Sequence, residues 1–125
     1  YGNMWDETMQ WLIDTGAKEE SDVNTNSSSW GNYSNSSGNA DIEGAGSEQN
    51  SGYSDYWSAN NVYDLAGNCC DWTQEAYNIN YTNYRVYRGG NNYGSGSTDP
   101  ASDRNYDYPS NPISNFSSRP ALYIK

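Results

Sequence analysis

Two carboxylates and two thiols lie within one short stretch of this sequence, NVYDLAGNCCDW at residues 61–72. Asp64 and Asp71 stand seven residues apart around a Gly-Asn pair, and between them lie Cys69 and Cys70, the only two cysteines of the chain. Calcium binds about six to eight oxygen ligands from carboxylates and backbone carbonyls, so one hypothesis is a calcium site. The alternative is that Asp64 caps a turn while Asp71 accepts hydrogen bonds from backbone amides. The residue types leave both hypotheses open.

The adjacent thiols are interpreted as two small, buried, hydrophobic side chains. A vicinal disulfide would strain the peptide between them, and a closed zinc site requires four ligands at other spacings. A redox role would require nearby cations that lower a thiol pKa, and residues 61–72 contain no Lys or Arg. Burial in the core is therefore the prediction for Cys69 and Cys70.

The chain as a whole is polar but rich in aromatic residues. Hydrophobic residues make up 34% of the 125 residues and the mean hydropathy is -1.07, yet there are five Trp and thirteen Tyr. Large rings supply much buried area per residue, so we expect one folded domain over residues 1–125 with long, ordered, polar loops. The abrupt start at Tyr1, directly before a helix-like pattern, favours a processed product or the C-terminal part of a longer protein.

Charge and residue inventory argue against several classes of function. The formal net charge is -10, with only six Lys or Arg, whereas nucleic-acid binding requires clustered cations. No apolar run approaches the length of a membrane span, so neither a nucleic-acid partner nor direct membrane insertion is expected. Histidine is absent, which removes the commonest general base and the usual zinc ligand and lowers the expectation of catalysis.

The first half of the chain is predicted to hold one helix followed by loops. Residues 4–15 carry apolar side chains at a helical spacing, and Gly16 follows where a left-handed C-terminal residue is favoured. From Lys18 to about Asn60 the periodicity disappears, and Gly, Asn and Ser indicate loop. Aromatic and aliphatic side chains are predicted to hold these loops to the body: Trp30, Tyr33, Ile42, Tyr53, Tyr56 and Trp57.

The second half is predicted to hold short strands separated by turns, which gives an α+β fold with few regular elements. Strand-like runs occur at residues 61–66, 84–90 and 119–125, and the segment between the last two is predicted to be a long polar loop. In so acidic a chain, the arginines are predicted to pair with carboxylates or to cap carbonyls. These residues are Arg85, Arg88, Arg104 and Arg119.

Four motifs carry a family resemblance over residues 60–125: VYDLAGNCCDWT, then RVYRGG, PASDR and SRPALYI. Together and in this order they resemble the sulfatase-modifying-factor family, the formylglycine-generating-enzyme-like branch of the C-type lectin fold. The resemblance implies that fold. It also implies a structural calcium site, whose ligands would be the side chains of Asp64 and Asp71 and the backbone carbonyls of Gly67 and Cys69.

The catalytic groups of that family are missing from this chain. Members that oxidise cysteine to formylglycine use a cysteine pair in the loop after RGG, but residues 91–100 contain no cysteine, and the histidines of iron-dependent members are absent. The resemblance therefore implies the scaffold without an enzymatic activity. A non-catalytic use of the same scaffold is found in the variable proteins of diversity-generating retroelements, which display diversified residues near the C-terminus for target binding.

The segment 91–116 is predicted to be a recognition surface, because Tyr, Asn, Ser and Gly combine rigid contact area with adaptable hydrogen bonds. The predicted ligand-binding residues are Asn91, Asn92, Tyr93, Thr98, Asp99, Asn105, Tyr106, Asp107, Tyr108, Asn111, Asn115 and Phe116. The expected partner is a protein or glycan on another cell, bound by an extracellular module of a bacterial surface or phage particle.

Two alternative functions are weaker. A modifying oxidase of the sulfatase-maturation type would require a thiol or metal centre in the C-terminal loop, which the sequence lacks. A calcium-dependent glycan-binding lectin would be expected to carry a Glu-Pro-Asn or Gln-Pro-Asp triplet, and neither occurs.

Overall fold

The regular structure of the described residues comprises two helices, a 3₁₀ turn at 55–57 and six strands. The computed structural model describes residues 2–36, 39, 41–77 and 83–120. The helical segments are α1 (Gly2–Asp14), α2 (Glu20–Asn24) and the 3₁₀ turn Asp55–Trp57. The strands are β1 (Ser58–Ala59), β2 (Val62–Tyr63), β3 (Cys70–Tyr77), β4 (Tyr84–Arg88), β5 (Arg104–Asp107) and β6 (Phe116–Ser118). This mixture confirms the α+β class.

The predicted N-terminal helix is confirmed as α1. Trp5, Met9 and Leu12 form its buried face, and the Trp5 indole nitrogen donates to the carbonyl of Ala101 at 2.9 Å. Gly16 follows with a φ of 71°, as predicted for the residue that ends the helix. Within the described residues, none of the helices combines the length and apolarity needed to cross a membrane.

A four-stranded sheet organises the second half of the chain in the order β5-β4-β3-β6. β3 pairs antiparallel with β4, β4 pairs antiparallel with β5, and β6 joins the other side of β3 in parallel. The predicted strand at 84–90 is confirmed as β4. The predicted closing strand at 119–125 rests mainly on residues 121–125, which lie outside the described residues.

Three strands of this sheet were missed by the sequence patterns, and so was one helix. β3, at Cys70–Tyr77, lies beyond the predicted run at 61–66. The predicted polar loop after β4 contains β5 and β6, whose sequences RNYD and FSS have no apolar alternation and are held by backbone pairing to β4 and β3. Likewise α2 lies in the segment predicted to be loop; it is only five residues long and has one buried side chain, Val23.

The two faces of the sheet differ in chemistry. Opposed residues of paired strands share a face, and alternate residues of one strand point to opposite faces. Val86 and Arg88 are buried on one face, which we call the inner face. Arg88 pairs there with Asp6 of α1 and donates to the carbonyls of Ser102 at 2.9 Å and Asp103 at 3.1 Å. Burial lowers the pKa of Arg88 to about 10.

We call the opposite face the outer face. By strand pairing it carries Cys70, Trp72, Arg85, Tyr87, Asn105, Asp107, Phe116 and Ser118.

The core lies between α1 and the loops that precede β3. Trp30 and Tyr33 belong to it, and Trp57 is 1% exposed, so three of the predicted loop anchors are confirmed. Tyr56 is 65% exposed, so the prediction was wrong for it. Tyr53 is 48% exposed but does anchor its loop, because it stacks on the ring of Trp57 at 5.9 Å and its hydroxyl donates to the carbonyl of Glu43 at 2.9 Å.

Candidate recognition surface

Three half-buried aromatic rings form the centre of the outer face. Phe116 of β6 contacts Trp72 of β3 and Tyr87 of β4, each with ring centroids 4.7 Å apart. Trp72 and Tyr87 meet edge to face at 5.7 Å. Such pairs stabilise one another by about 0.5–1.5 kcal/mol beyond the burial of their area. The three rings therefore form one rigid apolar patch supplied by three different strands.

Polar side chains surround this patch. Asn105 pairs with Tyr87 across β4 and β5, and Asp107 pairs with Arg85 in the same register, so all four share the outer face. Asn111 extends the polar rim, since its amide nitrogen donates to Asp107 Oδ1 at 2.9 Å. The outer face thus combines an aromatic centre with amide, carboxylate and guanidinium groups, which are the side chains that form adaptable hydrogen bonds with a partner.

The segment after β4 adjoins the same face through Asn91. Its side-chain oxygen accepts from the backbone nitrogens of Tyr93 at 2.9 Å and Gly94 at 3.2 Å, and its amide nitrogen contacts Cys70 Sγ at 3.5 Å. Asn91 therefore shapes the turn that presents Tyr93, whose side chain is 73% exposed. Thr98 is exposed and Asp99 is half-buried in the same loop.

The predicted ligand-binding residues do not form a single surface. Asn105, Asp107 and Phe116 lie on the outer face. Asn92 is only 1% exposed and donates to the carbonyl of Gly46 at 3.2 Å, so its assignment to a contact surface is corrected: it belongs to the scaffold. Asn115 is half-buried and its carbonyl accepts from Cys70 N at 2.9 Å, which also gives it a structural role.

Tyr106 and Tyr108 belong to a second aromatic group at the end of the sheet. Tyr106 opposes the inner-face residue Val86 and stacks on Tyr77, with centroids 3.9 Å apart and planes 11° apart. Tyr84 contacts Tyr106 and Tyr108 at 5.2 Å and 4.2 Å. Both Tyr106 and Tyr108 are 38% exposed, so this group provides contact area outside the outer face.

Trp72 and Tyr87 are the outer-face residues that the sequence patterns missed. Tyr87 lies in the predicted strand-like run at 84–90, which is interpreted as scaffold, whereas Trp72 lies in β3, outside every predicted run. A signal was present for Tyr87: in YRVYR the inner-face residues Tyr84, Val86 and Arg88 alternate with Arg85 and Tyr87, which places the last two together. Partner strands β5 and β6 had to be known before this face could be recognised.

The arginine prediction is confirmed. Arg104 pairs with Glu75, Arg119 pairs with Asp71, and Arg85 donates to the carbonyl of Tyr84 at 3.0 Å. With Arg88 on the inner face, all four serve as ion-pair or carbonyl-capping groups.

The two carboxylates of residues 61–72 are held by protein groups. Asp64 is buried, and its Oδ2 accepts from Ser51 Oγ at 2.9 Å and Gly52 N at 3.0 Å, which supports the turn-capping alternative. Asp71 accepts from Ser117 Oγ and from Arg119 Nε, both at 2.5 Å, rather than from backbone amides. Burial raises the pKa of Asp71, and Arg119 and Ser117 partly offset that effect.

Protein groups already contact the carboxylates that were predicted to bind calcium. Within the described residues, no three His, Cys, Asp or Glu side chains converge on a position that would hold a metal. Asp71 is already paired with a guanidinium, and Asp64 contributes one buried oxygen, Oδ1, for which no hydrogen-bond partner is found. Gly67 forms an isolated parallel bridge with Asn32, and Cys69 is half-buried at the edge of the same region.

The two cysteines are free, and only one is fully buried. Cys70 is 1% exposed, as predicted, whereas the prediction was wrong for Cys69, which is half-buried. Burial raises the pKa of Cys69 to about 11 and that of Cys70 to about 12. Neither thiol has the lowered pKa of a reactive cysteine.

The raised thiol pKa values predict that the domain loses stability in alkali. A thiol whose pKa is higher in the folded state stabilises the fold fully below its unfolded pKa, near 9, and this contribution falls as the pH rises towards the folded value of about 12. One such thiol contributes a slope of at most about 1.4 kcal/mol per pH unit. Urea unfolding between pH 8 and pH 11 should show the decline, and Cys70→Ala should flatten it more than the matched variant Cys69→Ala.

Comparison with known proteins gives no relative from which a function could be transferred: the chain matched no family model, no curated protein and no solved structure.

Proposed function

We propose that this chain is a non-enzymatic recognition domain that binds a protein or glycan target through the outer face of its sheet. The observation that carries the proposal is the aromatic patch of Trp72, Tyr87 and Phe116, surrounded by polar side chains. Aromatic anchors within a polar rim are the arrangement in which a few side chains supply most of the binding energy.

The separation of fold from surface supports the proposal. Backbone hydrogen bonds between β3, β4 and β5 fix the register, and inner-face groups such as Val86 and Arg88 are buried. The exposed side chain of Asn105 can change without altering either feature, because exposed substitutions usually alter stability by less than about 0.5 kcal/mol. Such a face is suited to variation in its binding specificity.

The motif resemblance supports a more specific version of the proposal. A formylglycine-generating-enzyme-like C-type lectin fold without the family's cysteines or histidines is consistent with a variable protein of a diversity-generating retroelement, displayed outside the cell on a bacterium or phage. In that reading the exposed positions of residues 91–116 would be the diversified ones. The acidic balance of the chain, -10 overall, disfavours nucleic acid as the target.

Two libraries displayed on yeast test the proposal without knowledge of the target. The first randomises four outer-face positions around the aromatic patch, Arg85, Asn105, Asp107 and Ser118, and the second randomises the buried amides of Asn32, Asn68 and Asn92. We expect roughly half or more of the first library to remain resistant to protease, because substitutions at the surface alter stability little. Few members of the second library should remain resistant, because their substitutions leave buried polar groups without hydrogen bonds.

Selection against a purified basic protein such as lysozyme completes the experiment. The first library should yield binders that lose affinity when Trp72 or Phe116 is replaced by Ala, while their resistance to protease is retained. If the outer-face library unfolds as often as the buried library, these residues are structural and the proposal fails. Binding that requires an intact thiol would instead favour the oxidase alternative.

A further inference from the structure

The side chain of Arg119 contacts two of the residues that were predicted to bind calcium. Its Nε donates to Asp71 Oδ2 at 2.5 Å, and its Nη2 donates to the backbone carbonyl of Asp64, also at 2.5 Å. One guanidinium therefore joins the two residues whose carboxylates were predicted to bind the ion.

A divalent cation and this guanidinium cannot both bind here. Asp71 is the buried partner of the Arg119–Asp71 pair: its side chain is 3% exposed, whereas that of Arg119 is 34% exposed. Screening is weak at such depth, so two positive charges within a few ångströms repel strongly. The other carboxylate oxygen of Asp71 accepts from Ser117 Oγ at 2.5 Å, so both of its oxygens already have a protein partner.

We propose that the guanidinium of Arg119 takes the place of the calcium ion and joins the turn at Asp64 to strands β3 and β6 without a metal. Asp71 lies on β3 beside Ser117 of β6, so the pair fixes the parallel strand that carries Phe116. The position of Phe116 on the outer face, and any recognition that depends on it, is therefore independent of calcium.

Removal of the guanidinium should expose a cation site that the native chain keeps closed. Arg119, Asp64 and Asp71 line one cleft of about 630 Å³ together with Glu48 and several polar groups. Without Arg119, the cleft would present the carboxylate of Asp71, the carbonyl of Asp64, and the Asp64 Oδ1 that has no hydrogen-bond partner. Oxygen ligands of this kind suit calcium.

Thermal unfolding with calcium and with chelator tests the proposal. The wild-type melting temperature should be the same in 5 mM CaCl₂ (about fiftyfold above a Kd of about 0.1 mM) and in EGTA. Arg119→Met keeps the side-chain length and removes the charge, so the melting temperature of this variant in EGTA should be lower than that of the wild type. Calcium should raise the melting temperature of the variant by roughly 5–10 °C. Calorimetry should show calcium binding to this variant only.

Two further variants make every outcome informative. The double variant Asp71→Asn, Arg119→Met lacks the freed carboxylate and should not respond to calcium, while Arg119→Lys retains a cation and should also stay indifferent. A wild-type melting temperature that rises with calcium would overturn the proposal. The proposal would also be overturned if calcium did not change the folded fraction of the Arg119→Met variant, measured by near-ultraviolet circular dichroism.

Discussion

Gly67→Ala should lower the free energy of unfolding by about 3–5 kcal/mol, the largest effect we expect from a single methyl group in this domain. A Cβ at Gly67 would lie 2.3 Å from the carbonyl oxygen of Asn32 and 2.7 Å from its carbonyl carbon. These atoms belong to the backbone and cannot move aside, because Asn32 and Gly67 form a parallel bridge and Gly67 N donates to the Gly89 carbonyl at 2.7 Å.

Gly16→Ala is the matched control for this prediction. Gly16 and Gly67 have the same φ of 71°, so both substitutions force alanine into the left-handed region. A Cβ at Gly16 would have no neighbour within 4 Å, so only the conformational cost of about 1 kcal/mol is expected. Urea unfolding of both variants separates the effect of the Cβ contact with Asn32 from that of backbone strain. If both variants lose the same free energy of unfolding, the contact with Asn32 is not the cause.

Asn68→Ala should lower the free energy of unfolding by about 2–4 kcal/mol, because it leaves several buried polar groups without partners. Asn68 Oδ1 accepts from Gln49 N at 2.9 Å and from Asn32 Nδ2 at 3.2 Å, while Asn68 Nδ2 donates to the Gln49 carbonyl at 2.8 Å. One amide therefore holds the loop at Gln49 and the segment at Asn32 against the sheet.

Asn60→Ala separates this network from the conformational preference of asparagine. Asn60 also has a positive φ, 48° against 62° at Asn68, but it is exposed and its amide nitrogen donates only to Thr15 Oγ1 at 2.8 Å. We expect a loss of about 1 kcal/mol or less for this variant. Differential scanning calorimetry of the two variants provides the comparison; a loss at Asn60 equal to that at Asn68 would contradict the network's role.

Sequence patterns predicted the parts of this fold that depend on side-chain burial with a regular period. The stripe of Trp5, Met9 and Leu12 identified α1, and the alternation around Val86 identified β4. Each of these elements has a buried face that repeats at the spacing of its backbone, and that spacing is visible in a single sequence.

Two of the strands that sequence patterns missed depend on partners that are distant along the chain. β5 and β6 are polar and three or four residues long, and they exist because β4 and β3 supply their hydrogen bonds. No local property of RNYD or FSS encodes that pairing. The outer face was missed for the same reason: Trp72, Tyr87 and Phe116 come from three strands and meet only after the sheet has formed.

The calcium hypothesis shows a different limit. Two carboxylates at a suitable spacing were visible in residues 61–72, but the carboxylate of Asp71 pairs with Arg119, 48 residues later, and that of Asp64 accepts from Ser51 and Gly52. Local spacing can indicate which oxygens lie near one another, whereas the groups that contact those oxygens come from elsewhere in the chain.

The position of β5 at the edge of the described sheet affects how neighbouring copies of this domain would behave on a crowded surface. An edge strand offers unpaired backbone groups that can join another molecule, and short strands bearing charged residues discourage such joining. β5 has four residues and carries Arg104 at its start and Asp107 at its end, and the net charge of -10 makes copies repel one another. Dense arrays should therefore resist aggregation, which would allow weak individual contacts to combine into strong multivalent attachment.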